Sequence, residues 1–314
     1  MSDTTRERIQ RIAARLRYCP NGAARSLITR RTHTLGVLLP DLYGEFFSEV
    51  IRGIDIVAQR HGYHMLVSSS HSEQSALEAA LHAMRGRVDG LIVMSPDLDQ
   101  RTLRSSLAAG PEVVLLNCAA SAPGLDGISI DNEAGARAMT NHLLELGHRR
   151  IAFIAGAARN VDADERLRGY HGALSARGVG ARAEWIVPGD FTESGGYRAA
   201  TELLSRSERP TAIFAANDSM AIGALSAMRD TNVAVPGEMT VTGFDDIPIA
   251  RYTSPPLTSV HVPIIQLGER ATERLVRSIT NNSRPRRRRE TLPTTLVVRQ
   301  SCAAPAASLT TVSS

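Results

Sequence analysis

Short apolar runs alternate along the chain with stretches whose apolar residues recur at helical spacing. The runs are Leu35–Leu39, Met65–Val67, Gly90–Met94, Val113–Leu116, Ile128–Ile130, Ile151–Ile154, Ala212–Ala215 and Thr240–Phe244. Between them, Val50, Ile54 and Val57 share one face of a helix over 48–60, and Met139, Leu143 and Leu146 share one over 133–147. Further helical patterns fall near 73–86, 162–177, 193–206, 217–230 and 264–281. Strands that are apolar throughout, alternating with helices, predict parallel sheets covered on both faces. About eight such units exceed one comfortable open sheet, so the expected fold is α/β with two doubly wound parallel-sheet lobes. Gly147 suits a helix end that needs the left-handed conformation.

Doubly wound sheets bind ligands beyond the carboxyl ends of their strands. The residues there are Pro40-Asp41, Asp131-Asn132, Asn217-Asp218 and Asp245-Asp246. Any one of them is explained as a helix cap or a turn. Four at the same topological edge favour a polar cleft.

Charge adds a second theme. The net charge is +4, yet residues 1–31 hold eight arginines against Asp3 and Glu7, leaving the remainder at −2. A basic leader on a near-neutral body is expected where one end meets a polyanion; the plain alternative is a solvated helix. Asp3 or Thr4 caps a helix expected to run to about Arg17, with Ile9, Ile12 and Leu16 as an apolar stripe that needs a partner. Pro20 ends it. A small-residue segment follows, Asn21-Gly22-Ala23-Ala24-Arg25-Ser26-Leu27, of a kind that approaches a minor groove closely and wedges a leucine between base steps. A linker helix is the alternative. The second arginine cluster, Arg284 and Arg286 to Arg289, reads as an exposed loop.

Other chemistry is excluded or unsupported. All 36 basic residues are arginine, which removes a phosphate-loop lysine and any lysine Schiff base. The three cysteines are dispersed, so neither a disulfide framework nor a metal site is expected. There is no apolar run of membrane-spanning length and no signal peptide, and a cytoplasmic location is expected. His71, His142, His148 and His171 are scattered and read as surface or capping residues. No catalytic constellation, cofactor or metal is expected.

The motifs together resemble the LacI-type family of bacterial transcriptional regulators. They run from Tyr18-Cys19-Pro20-Asn21-Gly22-Ala23-Ala24-Arg25-Ser26-Leu27 through Leu38-Leu39-Pro40-Asp41 with Phe46-Phe47, Val88-Asp89-Gly90, Leu146-Gly147-His148-Arg149-Arg150-Ile151, Arg166-Leu167-Arg168-Gly169-Tyr170, Ala216-Asn217-Asp218 and Gly243-Phe244-Asp245-Asp246 to Pro256-Leu257-Thr258-Ser259-Val260. The resemblance implies a periplasmic-binding-protein-like core, an effector in the cleft and a homodimer on a palindromic DNA operator. It divides the chain into a partial DNA-binding segment at 1–31, an effector-binding core at 32–304 and a disordered tail at 305–314. Lobe 1 would take about 33–131 plus 263–290, and lobe 2 about 132–262 plus 291–304. By residue match, Asn21, Ala24, Arg25, Ser26 and Leu27 would form the hinge helix in the minor groove. Asp41, Phe46, Phe47, Arg166, Asn217, Asp218 and Asp245 would line the effector cleft, with Phe191 a further stacking face. Carboxylates and an arginine suit sugar hydroxyls, and aromatic faces suit a sugar's apolar side. Val262 stands where the family often has glutamine, so a nucleobase-like or acidic effector stays open. The first helices of the family's helix-turn-helix are not in this sequence. The expectation is therefore a ligand-responsive repressor, with a headless cytoplasmic sugar-binding protein as the alternative.

Overall fold

The computed structural model describes residues 3–15, 31–97, 105, 107, 110–118, 126–280 and 289–306. Asn21, Ala24, Arg25, Ser26 and Leu27 lie outside the described residues, as do 307–314. The leader helix α1 spans Asp3–Arg15, and Ile12 on it is 49% exposed, so this part of the apolar stripe has no cover.

The first sheet contains β1 (Thr34–Leu39), β2 (His64–Ser69), β3 (Gly90–Met94), β4 (Glu112–Leu116), β5 (Asp126–Ile130) and β11 (Arg289–Leu292). Its order is β11-β5-β4-β3-β1-β2, with every pair parallel. Leu35, Val37, Leu38 and Leu39 of β1 are fully buried, as a central strand covered on both faces requires. Helix α2 (Glu45–Arg60) packs against α8 (Ile264–Thr280) on one face, and α3 (Gln74–Met84) covers the other. The two helices approach so closely at Gly53 that a methyl there would overlap the Ile265 carbonyl.

The second sheet has the order β7-β6-β8-β9, built from Ile186–Val187, Ile151–Ile154, Ala212–Ala215 and Thr240–Thr242. Around it lie α4 (Asn132–Glu145), α5 (Val161–Ala176), α6 (Glu193–Ser205) and α7 (Asp218–Asp230). Phe153 stacks on Tyr170 and meets Phe214 edge-on, at 5.1 and 5.3 Å between centroids. The buried Tyr170 hydroxyl donates to the Ile151 carbonyl at 2.8 Å. Gly147 follows α4 at φ 98°.

The chain passes between the sheets at Asp131, after β5, and at Val262-Pro263, after β10 (Ser259–His261). It passes again at Pro293-Thr294, before β12 (Thr295–Val297). Strands β10 and β12 pair antiparallel. Bridges Thr242–Thr258 and Asp245–His261 join them to the second sheet. The leader enters at the first sheet. There the Asp89 carboxylate accepts bonds from Thr32 N (2.6 Å), Thr32 Oγ1 (2.8 Å) and His33 N (3.0 Å).

Several expectations are corrected. The strand expected over Thr240–Phe244 stops at Thr242, because Gly243 and Asp245 turn their amides to Thr258 and Val260 instead. Strands β7, β10 and β12, two or three residues each, are too short to carry an alternation signal. Arg289 begins β11 rather than sitting in a loop. His148 is buried, not on the surface, and its ring bridges Thr211 Oγ1 (2.9 Å) and the Ala303 carbonyl (2.8 Å).

Candidate functional site

A cavity opens between the two sheets at the carboxyl ends of their strands, enclosing about 1000 Å³ counting its mouth. It is lined by Asp41, Phe46, Phe47, Arg166, Phe191, Asn217 and Asp245 among others. Asp41 follows β1 and Phe46 and Phe47 open α2. Asn217 and Asp245 follow β8 and β9. Two lobes built the same way thus present their post-strand residues to one space.

Arg166 projects from α5 into the floor and is 3% exposed. Its Nε donates to Asn132 Oδ1 at 2.9 Å, one terminal nitrogen donates to the Ala216 carbonyl at 2.5 Å, and the other lies 2.9 Å from Asp245 Oδ1. The Phe244 ring supports it from below at 3.9 Å. Asp245 Oδ1 lies near the guanidinium without an aligned N–H, so this buried oxygen keeps unmet hydrogen-bonding capacity. Burial pushes the Asp245 carboxyl up to about 6, with Arg166 pulling the other way. Asp245 holds φ 103° and Asp246 φ 54°, left-handed values unusual for residues with side chains. Arg299 fastens the Asp246 carboxylate at 2.6 Å.

Asn217 has a double duty. Its Oδ1 caps α7 through Met220 N at 2.9 Å, and its Nδ2 donates to the Phe191 carbonyl at 3.0 Å. It therefore holds the loop that carries the Phe191 ring, which lies over Gly156. Phe46 and Phe47 meet edge-on at 5.5 Å; both line the cavity and pack on the core. Asp41 Oδ1 accepts from Leu42 N (2.6 Å) and Tyr43 N (3.1 Å).

Asp218 is the exception among the expected lining residues: the structure does not bring it to the cavity. It is fully buried, accepting from Ser259 Oγ at 2.6 Å and Ile247 N at 2.9 Å. Burial, then the Asp245 charge, raises its carboxyl well above the usual range. It ties α7 to the β10 segment. The buried Val262 stands at a crossing and is likewise no part of the lining.

Sequence reasoning missed Tyr43, Asp97, Asn160, Asp162, Asp190 and Thr192, all in the lining. Asp97 lies just beyond β3, so the post-strand rule could have found it; Asp190 lies just beyond β7, which is too short for the sequence to mark. Asp162 receives Asn132 Nδ2 at 2.9 Å and Asn117 Nδ2 at 3.3 Å, and burial pushes its carboxyl up to about 7. Asp190 is held below the usual range despite burial by bonds from Thr192 and Arg198. Five contacts cross between the lobes: Tyr43 Oη to Glu193 Oε2 (3.4 Å), Ile249 N to Glu45 Oε2 (2.9 Å), Asn160 Nδ2 to Asp97 Oδ1 (2.9 Å), Val161 N to the Pro96 carbonyl (3.1 Å) and Asn117 Nδ2 to Asp162 Oδ2 (3.3 Å).

Two hinged α/β lobes facing one polar cavity define a two-lobed small-molecule-binding protein. Residues 140–302 match the periplasmic binding protein-like domain. The chain is 38% identical over 274 residues to the HTH-type transcriptional regulator GalS of Salmonella typhimurium, spanning 87% of this chain and 81% of that one. It superposes on the lac repressor dimer bound to operator and the anti-inducer ONPF with a TM-score of 0.88 at 29% identity, covering 97% and 92% of the two chains. A LacI family regulator from Enterococcus faecium with bound ribose gives a TM-score of 0.79 at 26% identity, covering 87% and 100%. The chain belongs to the LacI-type family of transcriptional regulators. It is a ligand-responsive regulator, and its relatives are regulators rather than enzymes. Among the described residues no helix is long and apolar enough to cross a membrane.

Proposed function

We propose that this protein is a DNA-binding repressor that takes a sugar as effector in the interlobe cavity and acts as a homodimer on a palindromic operator. The observation that carries the sugar assignment is the balance of the lining. Asp41, Asp97, Asp162, Asp190 and Asp245 face one arginine, Arg166, whose guanidinium donates to Asn132 and Ala216 and is charge-paired with Asp245. An anionic effector would meet carboxylates and no uncommitted cation. A neutral polyol offers hydroxyl donors to those carboxylates and its apolar faces to Phe46, Phe47 and Phe191. The ribose-bound neighbour supports the same chemistry.

The output follows from linkage. An effector touching both lobes favours the state in which the interlobe contacts are made, and so shifts the population of lobe angles. Thr32 and His33, which directly follow the leader and its eight arginines, are fastened to lobe 1 at Asp89, so the leader would feel that shift. Thermal-shift measurements with neutral pentoses, hexoses and disaccharides, beside purines and sugar phosphates, test the effector class. A melting point raised only by purines or anions rejects the sugar. Gel shifts with palindromic duplexes test the output, and equal affinity for all duplexes with or without ligand rejects the operator.

A further inference from the structure

A second cavity lies over β4, β5 and β11, enclosing about 940 Å³ counting its mouth. Asn117, Gly127, Ser129, Asp162, Arg289 and Thr291 line it. Asp162 also lines the first cavity, so its side chain is a wall between the two.

Two polar groups here are unspent. Asn117 is 2% exposed; its amide nitrogen donates to Asp162, while its Oδ1 accepts from nothing. A buried acceptor without a donor costs stability, and a ligand that supplies an N–H or O–H removes that cost. Arg289 stands at the rim, exposed, and its side chain makes no hydrogen bond or ion pair with the described residues. The floor is empty at Gly127, where an added methyl would find Leu115 no nearer than 3.8 Å. Ser129 and Thr291 bring their hydroxyls together at 3.2 Å beside it.

The carboxylates around this space do not make it a cation site. Glu133 is paired with Arg137 and Arg168, and Glu165 with Arg168. Among the described residues no three acidic, histidine or cysteine side chains are placed to hold a metal. An acceptor at the buried end, a donor at the rim and hydroxyls between them match a molecule whose groups both donate and accept.

We propose that this second cavity binds a small neutral polyhydroxy compound, with Asn117 Oδ1 accepting a ligand hydroxyl and Arg289 donating at the rim. Through Asp162 its occupancy would bear on the first cavity. The proposal is independent of which effector the first cavity takes.

Calorimetric titration of the full chain tests it, with myo-inositol, D-ribose and D-galactose as probes and spermidine and inorganic phosphate as cationic and anionic controls. We expect one of the neutral probes to bind in a mode that Gly127→Leu weakens more than tenfold and Arg289→Ala at least threefold, while Phe191→Ala, confined to the first cavity, leaves it in place. Arg289 is exposed, so its variant keeps the test open should Gly127→Leu fail to fold. Neutral probes that respond to Phe191→Ala alone, probes that bind nowhere, or sensitivity confined to spermidine or phosphate would each overturn the proposal.

Discussion

The Arg166 guanidinium sits 2.9 Å from Asp245 Oδ1 with both side chains almost wholly buried, at 4% and 6% exposure. It joins α5 to the end of β9 across the cavity floor. Removing one member of a buried pair leaves an uncompensated charge and costs about 3–5 kcal/mol. Arg166→Met should lose stability on that scale and abolish the effector response. Adding Asp245→Asn should recover part of the stability without restoring the response. Urea unfolding of the two single variants and the double variant checks this; strictly additive losses would refute the pairing.

Asp218 separates scaffold from site. Asp218→Ala should cost about 2–4 kcal/mol, because it orphans Ser259 Oγ and the Ile247 amide. The effector preference of the folded fraction should stay the same. A change of preferred ligand would return Asp218 to the lining.

Gly156 governs a ring. A methyl at Gly156 would overlap Phe191, whose loop Asn217 holds. Gly156→Ala should swing that ring and weaken effector binding roughly tenfold, a loss of about 1.4 kcal/mol. Calorimetry against the parent decides, and unchanged affinity would show that Phe191 does not touch the effector.

Glu45 clasps the lobes. Its carboxylate accepts the Ile249 amide across the cleft. Glu45→Ala should raise the effector off-rate several-fold and enlarge the radius of gyration in solution scattering, while costing less than about 1 kcal/mol in stability. A scattering profile and an off-rate identical to the parent would dismiss the clasp.

Burial raises Asp162 to about 7 and Asp245 to about 6. Both bind a proton more tightly in the fold than in the unfolded chain. Their contribution to stability is therefore full below about pH 4 and lost as pH rises through 6 to 7. Asp162→Asn fixes the neutral form. Its stability relative to the parent should climb between about pH 4 and 7 and level off above, by at most roughly 1.4 kcal/mol per unit of the shift removed. Parallel pH profiles would deny the burial effect.

The long apolar strands β1, β3, β6 and β8 were legible because a buried parallel strand writes itself as an unbroken run. The short β7, β10 and β12 were not, since two or three residues hold no period. The same limit applies to the site. Asp41 and Asn217 follow β1 and β8, and Asp245 follows the apolar run Thr240–Phe244, so all three could be marked, whereas Asp190 follows the two-residue β7. Asp218 misled because its neighbour Asn217 faces the cavity while its own side chain turns inward to Ser259. Asn160 and Asp162 sit at the start of α5, where a cap and a lining residue look identical in sequence: Asn160 is both, capping through Ala163 N at 3.1 Å.

Three strands of backbone side by side form the hinge, at Asp131, Val262-Pro263 and Pro293-Thr294. Such a joint bends in one direction and resists twisting. The motion it passes on is then set by the joint and not by the guest. Redecorating the walls with other side chains should retune what the protein senses while the stroke delivered to its leader stays the same, which makes the scaffold a ready chassis for building new sensors.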